Sequence, residues 1–360
     1  MLLTYDAFRE AVEDDDRRRS LLFEDDHPRY VLFAQQFTRA DLVRLSASAT
    51  AIRRMDRHRD GVRFLRSILE GKRVLNLFAQ PSTRTNESFV AAAEKVGATV
   101  RVVSDLRTSS FAKGETVEDS VRTLSSFYDL LVSRHPDDDF ATRASWALRR
   151  SRRPIPVVSA GSGKSEHPTQ ALLDVYTLQY SFAERGGLDG KRVLLVGDIG
   201  RNRAARSLAL LLTRFEVRRL DVACFPGHGP DPALVAALER ARIELVTHDS
   251  LPKAVRTLGK ELDAVYVTRL QQEWDTGSGK LGTSDDFVLD WELRHHLRDD
   301  CVIMHPLPRV NELPDDWEAH PGFVVWRQVR NGMWMRAALL ADIHGATDEI
   351  MARARRLGIA

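Results

Sequence analysis

Short apolar runs separated by amphipathic stretches set the rhythm of this chain. Val74 to Phe78 reads as a buried parallel strand, closed by Gln80-Pro81. Behind it Phe89, Ala92, Ala93 and Val96 recur at helical spacing, and Gly97 is a natural stop. Val100 to Val103 predicts a second strand. Leu130 to Val132 predicts a third, ended by Ser133-Arg134-His135-Pro136, and Pro154 to Ser159 a fourth. Thr38 caps a helix that begins near Arg39 and continues through Leu42 and Leu45. A polar loop from Ser109 to Thr116 leads into a helix with Val117, Val121, Leu124 and Phe127 on its inward face. Another helix runs through Leu172, Leu173, Val175 and Tyr176.

The second half repeats the alternation. Val193 to Val196, Leu220 to Cys224, Ile243 to Val246, Ala264 to Val267 and Cys301 to Met304 are strand candidates, and helical patterns separate most of them. That order predicts an α/β protein of two doubly wound parallel-sheet domains. The boundary is expected at the helix after residue 165, giving domains over 29–165 and 166–332. The apolar-striped helix from Asn331 to His344 opens a C-terminal segment, 333–360, that completes the first domain. Residues 1–28 are charge-rich, with Glu13-Asp14-Asp15-Asp16 before Arg17-Arg18-Arg19, and are expected as a solvated helix or a loose tail.

Composition narrows the function. At 360 residues the chain has room for two ordinary cores, and 43% hydrophobic with 29% charged residues is a soluble, globular balance. A net charge of +2 is too small for a dedicated nucleic-acid binder. Only eight of the 53 basic residues are lysine, a bias of composition rather than a binding signal. The N-terminus lacks the basic start and apolar core of a signal peptide, and no apolar run reaches membrane-spanning length. Cys224 and Cys301 are isolated in apolar surroundings, which suits neither a disulfide framework nor a zinc site. These features point to a cytoplasmic protein without a membrane partner.

Candidate chemistry centres on Ser82-Thr83-Arg84-Thr85, four polar groups in the first turn of the helix after Phe78. Free backbone N–H groups and the positive dipole end already favour an anion there. Hydroxyl donors and a guanidinium fork make it a phosphate cradle. Arg134, Arg203, Arg269 and His305 each stand just past a strand end, the edge at which open α/β sheets bind ligands. Several cations at such edges suggest a cleft between two domains that holds a multiply anionic ligand. Two nucleotide motifs fail. Gly161-Ser162-Gly163-Lys164-Ser165 has Val158 where a P-loop needs glycine, and Val196-Gly197-Asp198-Ile199-Gly200 lacks the full dinucleotide pattern.

In order, Pro81-Ser82-Thr83-Arg84-Thr85, Lys113-Gly114-Glu115-Thr116, Arg134-His135-Pro136, His167-Pro168-Thr169-Gln170 and His305-Pro306-Leu307-Pro308-Arg309 resemble the motifs of aspartate and ornithine carbamoyltransferases. The resemblance spans roughly Tyr30 to Gly345. His305-Pro306-Leu307-Pro308 is similar to the aspartate branch, since the ornithine branch usually has cysteine at the position of Pro306. Thr268-Arg269-Leu270-Gln271 resembles an aspartate-binding loop, and the ornithine branch's D-x-x-S-M-G is absent.

The resemblance implies transfer of the carbamoyl group of carbamoyl phosphate to the amine of L-aspartate, a step of pyrimidine biosynthesis. It implies a carbamoyl-phosphate-binding domain followed by an aspartate-binding domain. A homotrimer or higher homo-oligomer is implied, with a possible regulatory chain and neither metal nor organic cofactor. Ser82, Thr83, Arg84 and Thr85 would hold the phosphate. Thr85, Arg134 and His167 would polarise the carbonyl oxygen, and Gln170 with the carbonyls of Leu307 and Pro308 would hold the NH2. Lys113, Arg134, Arg203, Arg269 and Gln271 would meet the aspartate carboxylates, and Ser109 and Lys113 would reach a neighbouring subunit's site. The family precedent for Leu307–Pro308 is a cis bond. No protein base is needed if the departing phosphate takes the amine proton, so positioning and electrostatics carry the reaction.

Two positions depart from the pattern. Asn86 stands where the family usually has arginine, and Ser162 where the aspartate branch often has aspartate. They leave room for a carbamoyltransferase acting on a different amine. An inactive paralogue serving as a scaffold is a third reading, but such a chain has no physical need to gather Arg84, Arg134, His167, Gln170, Arg203 and Arg269.

Overall fold

The nine apolar runs, joined by a short tenth strand at Tyr30–Val31, pair into two separate five-stranded sheets, every pairing in both of them parallel. A computed structural model describes residues 3–104, 114–163, 166–225, 227–269 and 287–359. The chain divides into two units, Met1–Thr169 with Gly332–Ala360, and Gln170–Asn331.

The first unit begins with helices α1 (Tyr5–Glu13) and α2 (Asp15–Leu22), a hairpin of β1 (Phe23–Glu24) and β2 (His27–Pro28), and the short strand β3 (Tyr30–Val31). Next come α3 (Arg39–Met55), α4 (Arg59–Ile68), β4 (Arg73–Phe78), α5 (Thr83–Lys95) and β5 (Thr99–Val103). They are followed by α6 (Val117–Ser125), β6 (Leu130–His135), α7 (Phe140–Arg149) and β7 (Val157–Ser162). Helix α8 (Pro168–Ser181) leads out of the unit.

The second unit holds β8 (Arg192–Val196), α9 (Arg203–Leu212), β9 (Arg219–Ala223), α10 (Pro232–Arg240), β10 (Glu244–His248), α11 (Leu251–Leu258), β11 (Ala264–Val267) and β12 (Val302–Met304). Helix α12 (Val325–Ile343) carries the chain back, and α13 (Thr347–Arg356) ends it. The division thus falls inside α8, after Thr169, and inside α12, after Asn331.

Burial follows the strands' place in each sheet. Central β6, β8 and β9 are buried along most of their length, as parallel strands covered on both faces must be, whereas edge strands β5 and β10 are largely open. Thr38 caps α3, its hydroxyl accepting from Asp41 N while Asp41 accepts from Thr38 N.

Four expectations needed correction. The first 28 residues are neither loose nor merely solvated: Phe8, Val12 and Leu22 belong to the core of the first unit. Arg18 is buried there because its guanidinium donates to the carbonyls of Val12 and Glu13, which would otherwise lack partners at the helix end. Phe127 lies beyond the end of α6 and is 55% exposed, because the helix stops at Ser125 before its stripe reaches it. Strand β7 begins at Val157 rather than Pro154, since proline cannot donate to a ladder. Helix α12 begins at Val325, six residues before Asn331.

Candidate active site

From β4 in the first sheet and β8 in the second, the chain winds outward in one direction and then returns to the other side of that strand. The first sheet runs β3-β7-β6-β4-β5 and the second β10-β9-β8-β11-β12. The order therefore reverses between β4 and β6, and between β8 and β11. Such reversal points leave a crevice at the carboxyl ends of the strands. Several of the described residues singled out from the sequence lie at these two places.

At the first, Phe78 pairs with Arg134 across β4 and β6, and Gln80 N donates to Arg134 O at 3.1 Å. Ser82 caps α5 in extended backbone, yet its hydroxyl does not bond the helix backbone: it donates to Thr85 Oγ1 at 3.0 Å. The N–H groups of the first turn are therefore not taken up by the capping side chain. Thr85 is buried, whereas Thr83 and Arg84 are exposed beside it. Arg134 donates from Nη1 to Ala160 O at 3.0 Å.

Gly161 explains how Arg134 meets His167. Its φ is 103°, and a Cβ there would lie 2.9 Å from Arg134 Nη1 and 3.4 Å from His167 Cδ2. Only glycine lets both side chains close over the end of β7. His167 is itself buried, and its neighbour Glu166 is held by Ala34 N at 2.6 Å. Gln80 Oε1, Ser133 Oγ and Thr169 Oγ1 are buried with no hydrogen-bond partner among the described residues. Polar atoms buried in this way call for a polar ligand or solvent. A helix N-terminus, a guanidinium, an imidazole and hydroxyls on one edge suit an anion with an adjoining carbonyl.

Asn86, one residue further, faces the fold. Asn76 Nδ2 on β4 donates to Asn86 Oδ1 at 3.0 Å, and Asn86 Nδ2 donates to Glu87 Oε1 at 3.1 Å. The first turn of α5 is thus tied to β4. His135, next to Arg134, lies flat on Phe140 with ring centroids 4.3 Å apart, and burial lowers its pKa.

At the second reversal point Thr268 N and Oγ1 both donate to Val196 O, at 2.9 and 2.8 Å. Gly197 makes this approach possible: its φ is 115°, and a Cβ would sit 2.4 Å from Thr268 Oγ1. The two loops carry Arg203, first residue of α9, and Arg269, both half-buried. Asn202 caps α9, accepting from Ala204 N and Ala205 N.

The remaining described residues predicted in this unit lie in or beside a buried network. Gln170 Nε2 donates to Asp174 Oδ1 at 3.0 Å, and Asp174 also accepts from Gln328 Nε2 and Tyr266 OH, both at 2.7 Å. Gln328 Oε1 accepts from His305 N at 3.0 Å. His305 Nδ1 accepts from Leu307 N at 2.8 Å, and Nε2 donates to Glu312 at 2.8 Å. Burial opposes the charge on Glu312, but His305 and backbone donors outweigh it and hold its pKa below the usual value. The Leu307–Pro308 bond is cis.

Sequence reasoning passed over Asp174, Gln328 and Tyr266. Asp174 was discoverable, four residues after Gln170 on one helix face; the other two carried no local signal. Ser109, Lys113 and Gln271 lie outside the described residues. A cavity of about 570 Å³ at the ends of β9 and β10, lined by Cys224, His248, Ser250 and Lys253, holds none of the predicted residues. Among the described residues no group of three His, Cys, Asp or Glu side chains is placed to hold a metal ion, and no helix is long and apolar enough to cross a membrane.

Residues 29–180 match the family model described as aspartate/ornithine carbamoyltransferase, carbamoyl-P binding domain. Residues 189–343 match its Asp/Orn binding domain. The aspartate carbamoyltransferase catalytic subunit of Thermoplasma acidophilum is 36% identical over 77% of this chain and 87% of its own. That of Cellvibrio japonicus is 32% identical over 91% and 96%. Aspartate transcarbamoylase from Trypanosoma cruzi, solved with N-(phosphonacetyl)-L-aspartic acid, superposes with a TM-score of 0.77 at 31% identity, covering 90% of this chain and 99% of that one. The same enzyme solved with carbamoyl phosphate and aspartate gives 0.72 at 33% identity, over 87% and 96%. Two domain matches in the expected order and relatives alike over most of both chains leave one assignment: the chain belongs to the aspartate/ornithine carbamoyltransferase family.

Proposed function

We propose that this protein is an aspartate carbamoyltransferase, passing the carbamoyl group of carbamoyl phosphate to the amine of L-aspartate and releasing phosphate, in pyrimidine biosynthesis. The observation that carries the reading is the gathering of the α5 N-terminus, Arg134 and His167 at one sheet's reversal point, in a chain whose relatives are named for this reaction. Complexes of the T. cruzi enzyme with both substrates support the substrate pair.

On this reading Ser82, Thr83, Arg84 and Thr85 bind the phosphate, and Thr85, Arg134 and His167 stabilise the carbonyl oxygen as it gains charge. Gln170 and the carbonyls of Leu307 and Pro308 accept from the NH2. Lys113, Arg134, Arg203, Arg269 and Gln271 bind the two carboxylates. The first unit carries the residues for the phosphate and carbonyl chemistry, and the second those for the amide and most of those for the acceptor. A homotrimer in which Ser109 and Lys113 serve a neighbouring subunit, a possible regulatory chain and a cytoplasmic location belong to the same reading. They rest on the family resemblance and on the polar sequence from Ser109 to Thr116. No metal or cofactor takes part.

A different acceptor amine was suggested by Asn86, but its amide is engaged by Asn76 and Glu87. Incubating the protein with carbamoyl phosphate and a panel of amino acids tests the reading. Carbamoyl-aspartate should dominate; citrulline, or no product with any amine, overturns it.

A further inference from the structure

Asp174 lies on α8 one turn after Gln170 and is fully buried. Three side chains converge on it. Gln170 and Gln328 share its Oδ1, and Tyr266 takes Oδ2. The Tyr266 hydroxyl also meets Gln170.

Each glutamine turns its amide nitrogen towards Asp174, which accepts from both. That choice settles where the two amide oxygens go. Gln328 Oε1 points the other way and accepts from His305 N, the residue that opens the Leu307–Pro308 turn. The turn is then closed by Leu307 N on His305 Nδ1 and by Glu312, which takes both His305 Nε2 and Val310 N. Gln170 Oε1 is left as the acceptor end of its side chain. One carboxylate therefore controls two features: the direction of the Gln170 amide and the anchoring of the turn that presents the carbonyls of Leu307 and Pro308.

We propose that Asp174 is a positioning residue for recognition of the carbamoyl NH2. By fixing both glutamine amides it presents an all-acceptor lining, which takes an NH2 group and rejects a methyl group of the same shape. The inference rests on the carbamoyltransferase reading above. Without Asp174, Gln170 is free to rotate its amide and offer a donor where the substrate needs an acceptor. The loss falls on carbamoyl phosphate and not on its methyl counterpart, acetyl phosphate, because the phosphate cradle belongs to α5. A site built to hydrogen-bond its ligand rejects an analogue that lacks the donor far more strongly than an apolar pocket does.

The test compares binding of carbamoyl phosphate and acetyl phosphate to the full-length protein and to Asp174→Leu, which keeps the branched shape and removes both acceptors. The ratio of the two dissociation constants is the readout. A merely structural defect weakens both ligands alike and leaves the ratio unchanged. We expect the preference for carbamoyl phosphate to fall at least about tenfold in Asp174→Leu. Asp174→Asn keeps an acceptor where both amides converge but gives up the carboxylate's second oxygen to a donor that faces Tyr266, so it should fall between, and it serves if the leucine variant does not fold. A wild-type ratio in Asp174→Asn and in any folded leucine variant overturns the positioning role while leaving the carbamoyltransferase reading intact. If the unaltered protein shows no preference for carbamoyl phosphate, the functional reading itself fails and this inference with it.

Discussion

Replacing Asn86 by arginine, the residue usual in the family, sets two magnitudes against each other. Asn76 is fully buried, its Nδ2 is held by Asn86 Oδ1, and its Oδ1 has no partner among the described residues. Arginine has no acceptor to offer, so the change strands a buried donor at a cost of about 1–3 kcal/mol. A cation in the first helical turn also opposes the dipole, by about 0.3–1 kcal/mol. Against these, the new charge lies one residue beyond Thr85. With a bound phosphate ~8 Å away and an effective dielectric of ~20, each phosphate charge contributes ~2 kcal/mol before salt screening.

The stability cost is present in free and bound protein, whereas the electrostatic gain appears only on binding. Asn86→Arg should therefore melt earlier, by about 2–4 °C for each kcal/mol. It should also bind carbamoyl phosphate more tightly, by roughly fivefold for a net gain of ~1 kcal/mol. Calorimetric titration at two ionic strengths, with a thermal melt and an acceptor panel, reads both effects. Tighter binding that fades with salt, beside a lower melting temperature, supports the account. Weaker binding at low salt, or a new preferred amine, refutes it and marks Asn86 as a specificity residue.

Arg84→Ala removes the exposed guanidinium of the cradle and should lower turnover at least ~100-fold; near-normal turnover at saturating carbamoyl phosphate would place the phosphate elsewhere. If Lys113 serves a neighbouring subunit, mixtures of Arg84→Ala and Lys113→Ala chains should regain activity on reannealing, and confirmed mixed oligomers without activity would count against sharing. Gly161→Ala places a methyl 2.9 Å from Arg134 Nη1 at a φ of 103°, so kcat/KM should fall by at least about tenfold while the fold, followed by circular dichroism, persists. Burial works against the charge of Asp221, but Arg192, His248 and Arg219 outweigh it and depress its pKa. The stabilisation it provides is present above the ordinary carboxylate value of about 3.9 and is lost as pH falls through the lower folded value. Asp221→Asn should thus melt earlier than wild type at pH 7, and the gap should narrow as pH falls below the ordinary carboxylate range.

Much of this architecture was legible in the chain because parallel sheets bury both faces of their strands. Continuous apolar runs such as Val193 to Val196 betray such strands without any knowledge of their neighbours. Alternation with helices gave the fold class, and Ser82 to Thr85 announced themselves because helix capping is local chemistry. What the sequence could not specify was pairing order. Reversal points between β4 and β6 and between β8 and β11 depend on which strands lie side by side, and only there do Phe78 and Arg134, or Val196 and Thr268, become neighbours.

The N-terminal helices show the same limit. Their charges read as solvation, yet the stripe of Phe8, Val12 and Leu22 is buried by residues far away in the chain, among them Phe140 and Leu148. Asn86 looked like a missing cation, and the fold made it a tether, because its partner Asn76 sits on a strand ten residues earlier. Asp174 draws on Tyr266 and Gln328, separated from it by 92 and 154 positions. Local sequence determined the elements and the chemical groups they carry. Tertiary structure decided which donors meet which acceptors, since a buried carboxylate orients an amide only when folding brings the two within hydrogen-bond reach.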